Sequence, residues 1–490
     1  MHLLKLNKNL ITLVLALGMF LWSFSAGIVN ISLPSISQYL DVSTNLVSLI
    51  VILHLVVLIS FLLIFGRIGD IIGHKKIFLS GIFIFTVCSY FCFISLDIIQ
   101  LIFFRMLLGL GSAMILSIVP AIISTTFPHN ERGKIFGFIS LTTTLGLSSG
   151  YGIGGLIVEN IGWNWIFLAV FPIGIITFLL ANKSLPSYHQ NDSNTSFDII
   201  GSLLIFLAVL TFILPFNVES NFDVGIPIII ATFFISILLI ILFFIWESRH
   251  ENPLFDISIL KNIHITFALV AAFLVTLILT GTIYLLPFYF ELIMGYPSDF
   301  AGFIILIPSL IVIFIGPLSG YISDNMGTRI PILLACLSLM GAVFLLYLFN
   351  ETIGLLFIFI ALGVRALSEG MFTPANNKLV MSHSPKNKVG SISSLLNSSR
   401  YLGMVMGVVV FNTIFYYTIS NQIMELTGIP TKGAFQLSAP TEILLSGFQS
   451  AFIIGIILSV IVLVSSFYAK EKDAEVEEYE PIELKNIKLN

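Results

Sequence analysis

Gly66-Arg-Ile-Gly-Asp-Ile-Ile-Gly-His-Lys-Lys76 separates two long apolar segments of the chain. It packs glycines, one carboxylate and a basic cluster into a short stretch, in a chain of which only 10% of the residues are charged. A second stretch, Gly320-Tyr-Ile-Ser-Asp-Asn-Met-Gly-Thr-Arg329, repeats the pattern 254 residues later. The matched pairs are Gly66 and Gly320, Asp70 and Asp324, and Gly73 and Gly327.

The same spacing continues beyond these two stretches. An offset of 254 residues also relates Gly109 to Gly363, Pro120 to Pro374 and Lys134 to Lys388. A constant offset over about seventy residues indicates a duplicated unit. Two matching halves in a very apolar chain are typical of many secondary transporters.

Composition places the chain in a lipid bilayer. Of its 490 residues 57% are apolar, and the mean hydropathy is +1.05. Soluble domains carry about 25% charged residues, so most of this chain must face lipid or other helices. The net charge is −4 and no long basic stretch is present, which argues against a nucleic-acid partner. Cys88, Cys92 and Cys336 lie inside apolar segments, which indicates core residues rather than disulfides or a metal site.

Apolar segments of about twenty residues predict fourteen transmembrane helices and an all-α membrane protein. The segments are continuous rather than alternating, which excludes a transmembrane β-barrel. The first apolar segment runs from Leu10 to Leu33 and is too long for a signal peptide, so we expect it to remain as a helix. The predicted helices start near Leu10, Leu46, Ile77, Ile98, Ile135, Trp163, Ile199, Val224, Ile263, Phe300, Ile330, Ile353, Val389 and Ile443.

The duplication divides these helices into two pseudo-symmetric six-helix bundles. We predict an N-terminal bundle at 1–182 and a C-terminal bundle at 263–470. Residues 183–262 form a linker with two inserted helices that have no counterpart in the repeat. Residues 471–490 are acidic and polar and are expected to form a cytoplasmic tail.

The basic residues predict the orientation. With the N-terminus in the cytoplasm, 18 of the 22 lysines and arginines fall on the inner side, and only Lys432 falls outside. Three arginines lie within helices. Because inner loops carry an excess of Lys and Arg, we expect a multi-pass plasma-membrane protein with both termini in the cytoplasm. This distribution requires an even number of helices.

Several motifs resemble the signatures of one protein family. Gly66-x-x-x-Asp70-x-x-Gly73-x-Lys75 resembles the loop signature between helices 2 and 3 of the major facilitator superfamily. Arg105-x-x-x-Gly109-x-Gly111 resembles its helix 4 signature. The glycines of helix 5 resemble the signature associated with proton-driven antiporters: Gly146, Gly150, Gly154 and Gly155. Val29-Asn-Ile-Ser-Leu-Pro34 and Asn397-x-x-Arg400-x-x-Gly403 resemble helices 1 and 13 of the fourteen-helix drug:proton antiporter branch.

The resemblance implies a conformational gate that holds the two halves closed on the cytoplasmic side. Glycines at the gate let helices approach closely, and Asp70 is suited to cap a neighbouring helix. For the lysines, simple anchoring at the inner membrane surface is the favoured interpretation. In helix 5 the glycines serve either close packing or bending during transport. The predicted gate residues are Gly66, Gly69, Asp70, Gly73, Lys75, Gly320, Asp324 and Gly327.

The chain also departs from the family pattern. The branch usually has an acidic residue in helix 1 where this chain has Ser25, and a proline in helix 5 where it has Tyr151. His54 stands at an ordinary tyrosine position, and Ile71 replaces an arginine in the loop signature. The usual helix 1 proton site is therefore absent.

Charged residues within the helices are the candidates for substrate binding or proton coupling. An arginine at mid-membrane costs about 2.5–3.5 kcal/mol on insertion scales, so Arg105 should face the bundle interior, where it binds substrate or ties helices together. Arg365 and Glu369 lie four residues apart and either neutralise each other or make Glu369 the proton carrier. The other candidates are Ser25, Asn30, His54, Tyr151 and Arg400, and His54 is either a proton carrier or a satisfied polar contact.

The sequence predicts a secondary active transporter with proton-coupled efflux of small amphipathic or hydrophobic compounds. No Walker loop or other enzyme signature is present, so we expect no cofactor, a proton gradient as the driving force, and no catalytic residues. The expected partners are the bilayer, the substrate and protons, and we expect a monomer. The alternatives are proton-coupled uptake of a nutrient or anion, and a membrane receptor that does not transport.

Overall fold

A computed structural model describes residues 8–186, 200–201, 203–204, 206–212, 226–248, 259, 261–384, 389–428 and 437–468. The predicted tail and much of the predicted linker lie outside these residues. The described helices are α1 (Lys8–Tyr39), α2 (Thr44–Ile72), α3 (His74–Phe93), α4 (Ile98–Thr126), α5 (His129–Asn160), α6 (Trp165–Ser184), α7 (within 200–212), α8 (Ile226–Glu247), α9 (Ile263–Leu292), α10 (Ser298–Met326), α11 (Arg329–Tyr347), α12 (Leu355–Ser382), α13 (Val389–Thr427) and α14 (Thr441–Tyr468).

The all-α membrane fold predicted from the sequence is confirmed. Twelve of the described helices are long and apolar enough to span a bilayer. Helix α5 is not among them, because serine, threonine and glycine fill its middle, but it is 32 residues long and packs along α1. Helix α7 is described only in part. The predicted number of fourteen helices is consistent with this set.

The duplicated glycines occupy equivalent turns. Gly73 separates α2 from α3 with φ of 108°, and Gly327 separates α10 from α11 with φ of 80°. Residues with a Cβ rarely adopt such positive φ angles, so glycine is required at both junctions. Pro120 and Pro374 likewise fall inside α4 and α12. The local backbone thus repeats where the sequence repeats.

Each half contains a very close pair of helices at corresponding positions. Along the α1–α5 pair, a Cβ at Gly150 would lie 2.6 Å from the carbonyl oxygen of Phe24. Along the α9–α13 pair, a Cβ at Gly403 or Gly407 would overlap the carbonyl oxygen of Phe273 or Leu277. Small residues let helix backbones approach closely in membranes. Both halves therefore use the same glycine-lined contact between corresponding helices.

The inserted helices pack together at the side of α2. The Ser236 hydroxyl of α8 donates to the Ala208 carbonyl of α7 at 2.9 Å. The rings of Phe206 and Phe61 lie 5.9 Å apart and connect α7 to α2. Exposed large apolar side chains cover much of α8, including Phe234 and Leu238. A surface of this kind is suited to lipid contact.

At one end of the central cavity, α5 of the first half packs against α10 of the second. We call the end with the α2–α3, α4–α5 and α10–α11 connections the basic end, and the opposite end the far end. At the far end the Ser298 amide, at the start of α10, donates to Glu159 Oε2 of α5 at 3.1 Å. A Cβ at Gly155 would overlap the Ser298 carbonyl oxygen, so α5 and α10 touch here. The described contacts between halves concentrate at this end, and the conformation opens toward the basic end.

Candidate transport site between the two halves

A cavity of about 400 Å³ lies between the two halves. Helices of both halves contribute to its wall, so any molecule bound there contacts both bundles. Ligand pockets of about 300–1,000 Å³ accommodate drug-sized molecules. Of the predicted site residues, Asn30, His54, Arg105, Tyr151, Arg365, Glu369 and Arg400 line this cavity. Ser25 lies behind the wall and contacts Arg105.

Aromatic side chains from both halves form much of the apolar wall. The Trp22 and Tyr401 rings meet edge to face across the two halves, with centroids 6.2 Å apart. Tyr151 and Tyr284 also face the cavity. The Trp22 indole N–H is buried and has no hydrogen-bond partner within the described part of the chain. Aromatic walls with free polar edges bind flat amphipathic molecules well.

Arg105 is held by neutral groups. Its side chain is 2% exposed and donates to the Ser25 hydroxyl at 3.3 Å and to the Ile50 carbonyl at 3.5 Å. The guanidinium therefore connects α4 to α1 and α2. No carboxylate pairs with it among the described residues. Its charge is consequently uncompensated at the cavity wall.

His54 is engaged at both ring nitrogens. Its Nδ1 lies 3.1 Å from the Arg105 carbonyl oxygen, and its Nε2 lies 3.5 Å from the Ser112 hydroxyl. A Cβ at Gly109 would lie 2.6 Å from the His54 carbonyl oxygen, so α2 and α4 are in direct backbone contact. The geometry favours the structural interpretation of this histidine over proton carriage.

Arg365 and Glu369 form an ion pair on the opposite wall. Arg365 Nη1 lies 3.2 Å from Glu369 Oε2, and Glu369 keeps 34% of its side chain exposed. Arg365 also donates to the Leu279 carbonyl at 2.9 Å and approaches the Thr282 hydroxyl at 3.4 Å, which attaches α12 to α9. Glu369 is the only carboxylate among the described residues that line the cavity. Glu369 is thus accessible from the cavity, whereas Arg365 is also held by α9.

Arg400 and Asn30 complete the polar wall. Arg400 Nη2 donates to Asn377 Oδ1 at 2.8 Å, so its partner is a neutral amide. Asn30 Oδ1 is buried and has no partner within the described segments. Three guanidinium groups therefore face the cavity with a single carboxylate. The electrostatic potential of the site is positive unless a ligand compensates it.

The predicted gate residues lie at the basic end and pair within their own halves. Asp70 Oδ1 lies 3.0 Å from His74 Nε2, and Asp324 Oδ1 lies 3.0 Å from Lys378 Nζ. Lys75 donates to the Asn182 carbonyl at 2.7 Å, which ties α3 to α6. A Cβ at Gly320 would meet nothing within 4 Å. In this conformation the described ion pairs of Asp70 and Asp324 do not connect the two halves.

The helix 5 glycines lie on two contact surfaces. Gly146, Gly150 and Gly154 face α1, where an added Cβ would overlap or crowd α1 atoms. Gly155 instead faces α10 of the other half. The packing interpretation accounts for the first three glycines. Gly155 permits the contact between halves at the far end.

Several residues that lie between the two halves were not predicted from the sequence. Trp22 and Tyr401 are two of many aromatic residues in the sequence, and no motif singles out Ser298, Glu159 or Glu291. The Ser298 hydroxyl donates to Glu291 at 2.9 Å while its amide donates to Glu159. Carboxylates at the ends of apolar helices were the available signal. Their convergence on one serine depends on how the two halves meet.

Comparison with known proteins identifies the fold and the family. The sequence profile of the Major Facilitator Superfamily matches residues 15–408. Riboflavin transporter RibZ of Clostridioides difficile is 28% identical over 415 residues, which cover 84% of this chain and 90% of RibZ. The probable multidrug resistance protein EmrY of Escherichia coli is 27% identical over 410 residues, which cover 83% of this chain and 80% of EmrY. Multidrug resistance protein Stp of Mycobacterium tuberculosis is 25% identical over 415 residues, covering 83% and 76%.

Solved structures share the same architecture. A bacterial homologue of the human lysosomal transporter Spinster, in an inward-facing conformation, matches with a TM-score of 0.68 at 15% identity, over 95% of this chain and 98% of that one. The peptide transporter POT matches with a TM-score of 0.67 at 14% identity, over 94% and 96%. At these identities the likeness shows the fold alone.

The sequence motifs, the two glycine-lined halves and the central cavity agree with these comparisons. The profile match covers most of the chain, and the relatives match over more than three quarters of their own length. The relatives are transporters and not enzymes, which confirms the absence of an enzymatic function. The chain belongs to the major facilitator superfamily, with multidrug transporters of the fourteen-helix branch among its relatives.

Proposed function

We propose that this transporter couples substrate movement to protons through Glu369 and exports small amphipathic or hydrophobic compounds from the cell. The observation that supports this most directly is the position of Glu369. It is the only carboxylate among the described residues of the cavity wall, and it is 34% exposed beside Arg365. A carboxylate in such a place changes the charge of the site when it binds a proton.

In this proposal the basic end faces the cytoplasm, so the present conformation admits substrate from inside. Substrate binds between the aromatic walls and donates a hydrogen bond to ionised Glu369. The halves then rock so that the far end opens. A proton from outside neutralises Glu369, which weakens its hold on the substrate and favours release. The plasma membrane, the cytoplasmic termini and a monomeric state belong to the same proposal.

A second candidate is uptake of a nutrient or an anion with protons. Three guanidinium groups and one carboxylate face the cavity, which favours uncharged or anionic ligands over cations. Protonation of Glu369 would release Arg365 to bind an anion, so proton and anion would enter together. RibZ, which is described as a riboflavin transporter, makes an uncharged heteroaromatic nutrient a concrete example of this class.

The two candidate functions predict opposite directions of substrate movement relative to the proton flow. Purified protein in proteoliposomes is given a pH gradient of either direction, with ethidium, riboflavin and fluorescein as cationic, uncharged and anionic probes. Export by antiport predicts that a probe moves against the proton flow, and uptake by symport predicts movement with it. Flux that ignores the gradient in an active preparation contradicts proton coupling. Binding without counterflow would instead support a receptor that does not transport.

A further inference from the structure

Four polar side chains join the two halves near the far end. Asn412 of α13 donates through Nδ2 to Asn45 Oδ1 of α2, and the same nitrogen lies 3.5 Å from the Ser48 hydroxyl. Tyr284 of α9 donates its hydroxyl to Asn412 Oδ1 at 3.1 Å. We call Asn45, Ser48, Tyr284 and Asn412 the polar clasp. All four are at most 1% exposed.

The polar clasp must separate when the far end opens. Asn45 and Ser48 belong to the first half, whereas Tyr284 and Asn412 belong to the second. A buried polar group that loses its partner costs about 1–3 kcal/mol. Separation therefore requires that water replaces the lost hydrogen bonds. The polar clasp stabilises the conformation in which the far end is closed.

Tyr284 is the member of the polar clasp that also lines the cavity. It lies on the same stretch of α9 that Arg365 holds through the Leu279 carbonyl and the Thr282 hydroxyl. A continuous set of contacts thus runs from Glu369 through Arg365 and α9 to Tyr284 and then to Asn412. This route connects the cavity carboxylate to the polar clasp through hydrogen bonds and one short segment of α9.

We propose that Tyr284 is a positioning residue that couples the state of the cavity to the closure of the far end through its hydroxyl. The proposal rests on alternating access between the halves. It depends neither on the direction of transport nor on the identity of the substrate. Spatial continuity alone does not establish coupling, so the test must measure how two sites affect each other.

The test uses Ser298→Cys as a reporter of far-end opening in the purified full chain. Ser298 is 5% exposed at the contact between halves, so a maleimide labels a cysteine there only when the far end opens. Cys88, Cys92 and Cys336 are buried, and the chain without the reporter gives their background. Tyr284→Phe retains the ring but removes the hydroxyl, and we expect the labelling rate to rise about fivefold to tenfold.

A second tyrosine of α9 provides the matched control. Tyr289 donates its hydroxyl to the Asn350 carbonyl at 2.8 Å, and both residues lie in the second half. Tyr289→Phe should therefore leave the labelling rate within twofold of the reporter chain. An equal rise in both variants, or no rise in Tyr284→Phe, overturns the proposal. Thermal unfolding of each variant establishes that the protein remains folded.

The coupling itself is tested with Glu369→Gln, which imitates the protonated carboxylate. This substitution should change the labelling rate in the reporter chain but should have little further effect once Tyr284→Phe is present. Independent, multiplicative effects would show that Tyr284 has only a local structural role and would overturn the proposal. Because labelling needs neither substrate nor a gradient, a failure of the proposed antiport leaves this result interpretable.

Discussion

Two buried arginines on corresponding helices of the two halves have different surroundings. Arg105 of α4 binds a hydroxyl and a carbonyl, whereas Arg365 of α12 binds the carboxylate of Glu369 as well as groups of α9. Both face the same cavity. At this position the first half contributes a guanidinium that has no carboxylate partner among the described residues, whereas the second half contributes an ion pair. The two halves share their architecture but differ in the chemistry at this position.

The largest expected effect comes from replacing Glu369, the carboxylate that pairs with Arg365. Glu369→Gln cannot ionise, so we expect gradient-driven flux in proteoliposomes to fall at least tenfold while substrate counterflow without a gradient persists. Glu351→Gln changes an exposed carboxylate outside the cavity and should leave gradient-driven flux intact. Gradient-driven flux within twofold of the unmodified protein in Glu369→Gln would show that the proton is carried elsewhere.

A carboxylate beside Arg105 should make the two halves more alike. Ser25 lies 3.3 Å from Arg105 Nη1, so Ser25→Asp places a negative charge next to the uncompensated guanidinium. We expect fluorescein to bind about fivefold to tenfold more weakly and ethidium to bind more tightly, measured by quenching of tryptophan fluorescence. Ser25→Asn, which has similar size but no charge, should change neither affinity. Equal effects of the two variants would contradict the electrostatic explanation.

Removal of Arg105 should affect stability. Arg105→Gln loses the contacts to α1 and α2 and should lower the free energy of unfolding by about 1–3 kcal/mol, seen as a lower melting temperature in detergent. Arg400→Gln is the comparison, because Arg400 has one described hydrogen bond to Asn377 and should cost less. A larger loss of unfolding free energy in Arg400→Gln would show that Arg400, and not Arg105, contributes more to the stability of the fold.

The smallest effect is expected at His54, next to Arg105. Its ring contacts the Arg105 carbonyl and the Ser112 hydroxyl, which occupies both nitrogens. His54→Gln should leave the pH dependence of transport unchanged, and the rate within about twofold. A loss of gradient-driven flux similar to that expected for Glu369→Gln would instead make His54 the proton carrier.

Much of the fold follows from general physical rules. Apolar segments long enough to span a bilayer predict the helices, and polar residues inside them must face the interior, which correctly placed Asn30, Arg105, Arg365 and Glu369 at the cavity. The repeated glycines predicted equivalent turns, and Gly73 and Gly327 share positive φ angles. These conclusions depend only on local sequence and on the cost of burying charge.

Contacts between the halves could not be predicted in the same way. Whether Trp22 meets Tyr401, or Glu159 caps α10 at Ser298, depends on the rotation of each helix and on the conformational state. Asn45 and Asn412 lie 367 residues apart, and nothing in either local sequence identifies the other as its partner. Predicting such pairs requires the relative position of two rigid bundles, which hydropathy and spacing do not contain.

Gly320 has open space around its Cβ position in this conformation, and packing in a different conformation would explain why glycine stands there. A glycine inside a helix costs about 1 kcal/mol relative to alanine, and here no neighbour requires it. Gly316, on the same helix, is in the same situation. We expect these two positions of α10 to become close contacts when the basic end shuts. On this expectation, Gly316 and Gly320 mark a surface of α10 that packs against the other half in a second arrangement of the same helices.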